Sequence, residues 1–338
     1  MKSSHGKIKA IALMSTGLDS LLAAKIVKDQ GIDVQGVCFF FQFDQLAEKY
    51  QSGAIKNLAR PVGIPLNVVD ISEDFLSVLL QPQHGYGSGI NPCIDCHLFM
   101  LQRAAKMMGP IGARFLVTGE VVGQRPMSQN KPTLFHIDKI SGLKGLILRP
   151  LSAKLMPPTL AEEKGWVDRE KLYEISGRSR TQQMDLARRL DITQYNAPAG
   201  GCILTEPNFS RRARTLFAHR SMREITVEEL KLLRLGRQFW PRPHLQVVVG
   251  RDEKDNLALE SFREGRWVLS AADTKKSPLV VAKGVRNKHD LKIIAQITAR
   301  YCTGDKTTQR KIHYKSDKEE GDITVRPISE TMIEKWRV

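Results

Sequence analysis

The sequence predicts an α/β domain built on a parallel sheet, followed by a smaller α+β domain. Three observations carry this. Apolar runs of strand length alternate with segments of helical period through the first part of the chain. The first run ends in a turn of small and hydroxyl residues. Past about residue 228 the texture changes, and short strand-like runs follow one another.

The elements follow in order. Residues 8–14 (IKAIALM) are apolar throughout but for Lys9 and read as a buried strand; 21–27 have helical period, and Gln30-Gly31 is a helix stop. Residues 34–41 read as a second strand, 45–59 as a helix, and 66–71, 115–118 and 145–151 as further strands. From 160 to about 191 the pattern is helical and basic, through Arg178, Arg180, Arg188 and Arg189, until Ala197-Pro198-Ala199-Gly200-Gly201 breaks it into a loop. Residues 209–223 carry Arg211, Arg212, Arg214, Arg220 and Arg223 and are expected to join two domains. Strand candidates at 246–250, 267–269 and 279–282 and a helix at 290–301 make up the second. The expected boundaries are 1–205, a basic connector 206–227, and 228–338. There is no internal repeat and no low-complexity tract.

Fifty-two Lys and Arg against 36 Asp and Glu give the 338 residues a formal charge of +16. A balance this basic attracts polyanions, nucleic acid first among them, although a merely basic surface has the same composition. No stretch approaches the roughly 18 consecutive apolar residues of a membrane span. The opening residues are polar and basic, and their apolar run is too short for a signal peptide. No membrane partner is expected. Five cysteines, an odd number without an export signal, point to a reducing cytoplasm and to chemistry rather than disulfide staples.

A strand, a turn of small and hydroxyl residues, and then a helix is a geometry that binds phosphate, because helix-start N–H groups and the helix dipole both face the anion. Here the turn is Ser15-Thr16-Gly17-Leu18-Asp19-Ser20. Gly17 permits close backbone approach, the hydroxyls add donors, and Asp19 handles a metal ion or shapes the loop. An ordinary capped turn is the plainer alternative. The string resembles the pyrophosphatase loop (PP-loop), usually Ser-Gly-Gly-x-Asp-Ser, of ATPases that adenylate a carbonyl oxygen, with Thr16 in place of the first glycine. Thr118-Gly119-Glu120, followed by Gly123-Gln124, is similar to the second signature of tRNA 4-thiouridine synthetases and ends a later strand, where open sheets place their ligand crevice. The resemblance implies a Rossmann-like, HUP-type PP-loop ATPase domain. It also implies ATP and Mg2+ bound across Ser15, Thr16, Gly17, Asp19, Ser20, Thr118, Gly119, Glu120 and Gln124, with cleavage between the α and β phosphates. Arg125 and Ser128, in the turn that follows, are further candidates for contact with the adenylate or with RNA phosphate.

Asn91-Pro92-Cys93-Ile94-Asp95-Cys96-His97 opens a predicted helix over 98–108, and Cys202 follows Gly200-Gly201 far away in sequence. Cysteines three apart at a loop-to-helix junction point to one centre, and a helix N-terminus favours thiolate. The motif is similar to that of tRNA 2-thiouridylases, whose Asn-Pro-x-x-x-Cys element and distal loop cysteine handle sulfur; Cys96 and Cys202 match those positions. Cys93 widens the chemistry. Three thiolates at Cys93, Cys96 and Cys202 can hold a [4Fe–4S] cluster with one iron open, as iron–sulfur-dependent thiolation enzymes that this arrangement resembles do. A persulfide relay needs only Cys96 and Cys202, and structural zinc would add His97. Cys38 and Cys302 lie in apolar segments and read as packing residues.

Leu235-Gly236-Arg237-Gln238-Phe239 and Val247-Val248-Val249-Gly250-Arg251-Asp252-Glu253-Lys254-Asp255-Asn256 resemble the NFACT-R domain, regarded as an RNA-binding module; Arg237 and Arg251 carry donors suited to phosphate or base. Together the resemblances imply a tRNA sulfurtransferase. In it Asp19, Cys96 and Cys202 take catalytic roles, tRNA is the substrate, and the sulfur arrives as sulfide or from a cysteine desulfurase. ATP-dependent amidation or ligation of a small molecule, and a non-catalytic RNA-binding quality-control protein, are the alternatives.

Overall fold

The structure, a computed structural model, describes residues 7–15, 17–44, 47–51, 53–195, 201–272 and 277–338. The chain divides into two units between Thr205 and Glu206.

In the first unit, β1 (Lys9–Leu13), β2 (Asp33–Phe40), β3 (Leu66–Asp70), β4 (Ala113–Val117) and β5 (Ile147–Leu148) form a parallel sheet in the order β3-β2-β1-β4-β5. Helices α1 (Leu18–Lys28), α2 (Ala47–Gln51), α3 (Ser72–Leu80), α4 (Cys93–Ile111), α5 (Lys131–Ile140), α6 (Leu160–Glu163) and α7 (Thr181–Arg189) connect and flank it. The apolar runs are explained by burial on both faces. Ala10, Ala12, Val34, Phe115 and Val117 pack with Leu21, Leu22 and Val27 of α1, while Ile11, Val37 and Leu116 pack with Leu101 and Ala104 of α4 and Ile137 of α5. The strand order reverses between β1 and β4, so their carboxyl ends flank the crevice where such sheets bind ligands.

Two predicted helices are interrupted. Residues 45–59 give α2 and then a 3₁₀ segment, Ala54–Val62, because Gly53 takes a left-handed φ of 72° between them. Residues 160–191 break into α6, a 3₁₀ turn at Arg169–Lys171 and α7, with Gly165 and Gly177 at φ of 65° and 85°. The strand predicted over 145–151 shortens to β5, since Gly145 is also left-handed and Pro150 has no ladder donor.

The second unit is a six-stranded antiparallel sheet in the order β11-β10-β8-β9-β7-β6. Its strands are β6 (Arg237–Arg242), β7 (Leu245–Val249), β8 (Trp267–Ala271), β9 (Val280–Lys283), β10 (Arg310–Lys315) and β11 (Glu320–Val325). Its helices are α8 (Pro207–His219), α9 (Val227–Leu232), α10 (Glu253–Glu260), α11 (Lys288–Tyr301) and α12 (Glu330–Trp336). One sheet face packs Val247, Val249 and Val280 on Ile294 and Ile297 of α11; the other packs Val248 and Val281 on Leu232, Leu259 and Phe262. Residues 206–227 fall in this unit, where Arg212 on α8 donates to the carbonyls of Leu233 and Gly236. Cys38 and Cys302 are buried. Among the described residues no helix is long and apolar enough to cross a membrane.

Candidate nucleotide and sulfur site

The turn leaving β1 is drawn together by Ser20. Its hydroxyl donates to the Gly17 carbonyl at 2.9 Å and accepts from the Ser15 N–H at 3.2 Å, with Ser15 Oγ at 3.4 Å. Gly17 is the N-cap of α1 in extended conformation, and among the described residues no side chain caps that end, which leaves its N–H groups for an anion. Thr16 lies outside the described residues. Asp19 Oδ2 accepts from Gln124 Nε2 at 2.9 Å and stands 3.7 Å from Arg180. Asp19 Oδ1 is buried with no partner among the described residues. A buried carboxylate oxygen without a donor is costly unless a cation or ligand completes it, so this atom fits a role toward phosphate-bound Mg2+.

The second signature meets the first by backbone. A Cβ on Gly119 would lie 2.5 Å from the Ser20 nitrogen, 2.6 Å from the Asp19 carbonyl carbon and 2.7 Å from the Ser20 Cα. Only glycine lets the segment after β4 press against the first turn of α1. Glu120 reaches elsewhere. Its Oε1 accepts from His97 Nδ1–H at 2.9 Å, and its Oε2 accepts from Thr118 Oγ1 at 3.0 Å and Arg149 Nε at 2.9 Å. Arg149 is 3% exposed and also grips Asp138 of α5 through both terminal nitrogens, at 2.9 and 2.7 Å. Burial would raise the Glu120 carboxyl, but Arg149 and His97 outweigh it and bring it from 4.5 down to about 2. Both Glu120 oxygens are thus committed to protein. Gln124 lies in a tight turn with Gly123 at φ of 80°, closed by Gly123 N–H on the Gln129 carbonyl and by Gln129 N–H on that of Arg125. Ser128 in the same turn is buried, and its hydroxyl has no partner among the described residues.

The three cysteines come together. Cys93 and Cys96 form the first turn of α4, and the segment carrying Cys202 is docked on the loop before it by the Ile90 N–H on the Leu204 carbonyl. The Cys202 carbonyl is held in turn by the Thr205 N–H and hydroxyl at 2.8 and 2.7 Å. Burial pushes the Cys96 thiol well above its ordinary range, and Cys202 and Cys93 push it further; Arg125 pulls it back. Cys202 is raised to about 11, chiefly by burial, and again Arg125 opposes the rise. A thiolate here therefore needs help from a cation. Among the described residues no group of three or more His, Cys, Asp or Glu side chains is placed to hold a metal ion, so the expected cluster has no ready-made cage.

Sequence reasoning weighed His97 only as a zinc ligand and missed the other partners. His97, Arg149, Asp138 and Arg180 all serve the site, as does a second group: Asp95 accepts from His84 Nδ1–H at 2.7 Å, and His84 Nε2 stands 3.1 Å from His136 Nε2. A charged residue at a strand's carboxyl end, as in Arg149-Pro150, and an acid within the Cys-Ile-Asp-Cys string were the available signals.

Comparison with known proteins agrees with this architecture. Residues 8–139 match the tRNA methyl transferase HUP domain, and residues 236–337 match the NFACT protein RNA binding domain. The tRNA-specific 2-thiouridylase MnmA of Syntrophotalea carbinolica is 32% identical over 117 residues, which are 32% of this chain and 33% of that protein. The Deinococcus radiodurans enzyme of the same name is 28% identical over 129 residues, 34% of this chain and 33% of that one. The chain thus spans about a third of the length of these curated relatives. A 4-thiouridine synthetase–RNA complex with bound ATP aligns over 54% of this chain and 51% of its own at 20% identity, with a TM-score of 0.34. The C-terminal part of a fibronectin/fibrinogen-binding protein from Streptococcus suis aligns over 46% of this chain and 76% of its own at 12% identity, with a TM-score of 0.27. The domain matches and the motifs agree: residues 8–139 are similar to a HUP domain that carries a PP-loop-like turn, and residues 236–337 to the NFACT RNA binding domain.

Proposed function

We propose that the protein is an ATP-dependent tRNA sulfurtransferase. The observation that carries this is the meeting of the two signatures: Gly119 rests on the Asp19–Ser20 backbone at the sheet's switch point, while the adjacent Glu120 is bonded to His97, next to Cys96 on the cysteine helix. A nucleotide crevice and three thiols within one unit are what adenylation followed by sulfur insertion requires. The matches to enzymes named tRNA-specific 2-thiouridylase support the same reading.

In the first step a uridine carbonyl oxygen attacks the α-phosphorus of ATP and pyrophosphate departs, leaving an adenylated base. Ser15, Gly17 and Ser20 offer backbone and hydroxyl donors to the phosphates, Gln124 and Arg180 hold Asp19 in place, and Thr118 and Gly119 form the facing wall. Mg2+ bound with the nucleotide would neutralise the departing pyrophosphate, with the free Asp19 oxygen directed to it. In the second step sulfur adds to the activated carbon and AMP leaves with the former carbonyl oxygen. Cys96 and Cys202 handle that sulfur, and Arg125 favours their anionic forms. A persulfide relay uses Cys96 and Cys202 alone: one carries the outer sulfur, and the other closes on it as a disulfide when that sulfur leaves. Glu120 acts as a strut rather than a ligand in this scheme, and the second unit holds the tRNA. The test is incubation of the full chain with unmodified tRNA, ATP and a sulfur source, reading pyrophosphate release and, by mass spectrometry, the nucleosides. Pyrophosphate release that requires tRNA and yields a thiouridine is expected; ATP turnover indifferent to tRNA would overturn the proposal.

A further inference from the structure

The second unit carries a basic face assembled around one buried acid. Asp290, fully buried in the first turn of α11, accepts from the Arg286 N–H at 3.0 Å and from His244 Nε2 at 3.1 Å, and stands 3.2 Å from Arg242 NH1. Asn287 caps the same helix by accepting from the N–H groups of His289 and Asp290. The guanidinium of Arg220 forks onto the His244 carbonyl at 3.1 and 3.2 Å and lies 5.3 Å from the centre of the Trp240 ring. Gly284, at φ of 91°, sits so close to that carbonyl that any side chain there would collide with it. Three stretches far apart in sequence are therefore locked at one place, and each brings arginine.

What this lock presents outward is positive. Arg286 and Lys288 are exposed, and among the described residues their side chains have no acidic partner. Arg242 meets Asp290 through NH1, which leaves the rest of its fork available. Asp290 is buried beneath the face and paired with Arg242, and Glu224, which feels the charge of Arg220, caps the turn at Ser221. Trp240, beneath Arg220 and 8% exposed, keeps an indole N–H without a partner among the described residues. The sites expected from sequence look different. Arg251 is closed bidentately by Asp255 at 2.5 and 3.0 Å, and Arg237 lies over the Tyr301 ring at 4.9 Å. On the β10–β11 hairpin, Lys311 and Lys315 pair with Asp322 and Glu320 at 2.9 and 2.7 Å.

We propose that the face formed by Arg220, Arg242, Arg286 and Lys288 is where the second unit takes the phosphodiester backbone of RNA, in preference to the Arg237–Arg251 side. This rests on the reading above that the chain binds tRNA. A carboxylate buried beneath arginines fixes their position without offering negative charge to the ligand, and fixed guanidinium forks suit phosphate. Phosphate contacts of this kind position RNA without reading its sequence.

The test measures binding of fluorescently labelled tRNA to the full chain by anisotropy over a salt series. The variants are Arg286→Ala/Lys288→Ala and, as a control that also removes two charges, Lys311→Ala/Lys315→Ala. Each phosphate contact contributes about one unit to the slope of log affinity against log salt. The Arg286/Lys288 variant should bind roughly tenfold more weakly at moderate salt, with a slope reduced by about two, while the hairpin variant keeps the parent slope. A steep parent slope left intact by Arg286→Ala/Lys288→Ala would overturn the assignment of this face and leave tRNA binding standing. No salt-dependent tRNA binding by the parent would overturn the tRNA reading itself. Both substituted positions are exposed and unpaired, so an unchanged melting temperature is the accompanying check on the fold.

Discussion

Glu120→Gln tests whether the charge at the centre of the first unit holds its two signatures and its cysteine helix together. The substitution keeps the shape and removes the anion, leaving Arg149, at 3% exposure, with Asp138 alone. Lowering of the Glu120 carboxyl from 4.5 to about 2 corresponds to about 3 kcal/mol of stabilisation at neutral pH, at about 1.4 kcal/mol per unit. That agrees with the roughly 3–5 kcal/mol lost when one partner of a buried pair is removed. For a unit of this size, about 3 kcal/mol lowers the melting temperature by roughly 6–12 °C. The sign with pH follows from the depressed value: the stabilisation is complete above the ordinary 4.5 and disappears as pH falls toward 2, so the gap between parent and variant should be about half closed midway between them. Hydrogen exchange read peptide by peptide, alongside calorimetry, separates the two units. Peptides from β1, β4 and the start of α4 should lose protection while those from β7 and β9 do not. A variant melting within about 2 °C of the parent at neutral pH, or a gap that does not narrow on acidification, would refute the charge argument.

Three further outcomes follow from the site. Asp19→Ala should abolish pyrophosphate release while leaving the melting temperature near that of the parent; release at the parent rate would sink the phosphate-loop role of Asp19. Thiolation should survive Cys93→Ala when a persulfide donor is supplied, since a Cys96–Cys202 relay needs no metal cage; a brown protein binding about four irons that loses colour and thiolation together in Cys93→Ala would overturn this. Because Arg125 opposes the upward push of burial on Cys96 and Cys202, Arg125→Gln should slow their alkylation by iodoacetamide severalfold and move its pH–rate profile upward; an unchanged profile would remove Arg125 from that role.

The parallel sheet was legible because its strands are buried on both faces and leave runs such as 8–14 and 34–41 with hardly a charged residue. The ends of β1 and β4 carried the two signatures, so their convergence followed from topology once the strands were placed. Helix interruptions were not legible from period alone: left-handed glycines at 53 and 165 follow α2 and α6, and another at 177 precedes the start of α7. Glu120 is held by residues 97, 118 and 149, with Asp138 reached only through Arg149, and no local spacing announces contacts made across such separations. The pairing of Arg251 with Asp255 has no helical-spacing signal, because Arg251 lies before the Asp252 N-cap of α10 and Asp255 reaches back over the helix start to the Arg251 N–H and guanidinium.

Gly119 and Glu120 are adjacent, and their division of labour explains why this dipeptide stands between the two chemistries. The glycine has no side chain, so the segment after β4 makes backbone contact with the first turn of α1 and its position depends directly on the phosphate loop. The glutamate reaches in the other direction, to His97 one residue beyond Cys96, and is anchored by Arg149 at the end of β5 and through it by Asp138 on α5. A displacement of the phosphate loop must therefore be absorbed either at the Gly119 contact, where there is no slack, or along a buried set of charge-assisted hydrogen bonds that ends beside the thiols. The bonds from Glu120 to His97 and Arg149 leave little room for independent motion between loop and cysteine helix. On the proposed reading, in which adenylation precedes thiolation, a connection this short would keep sulfur delivery in register with the activated base.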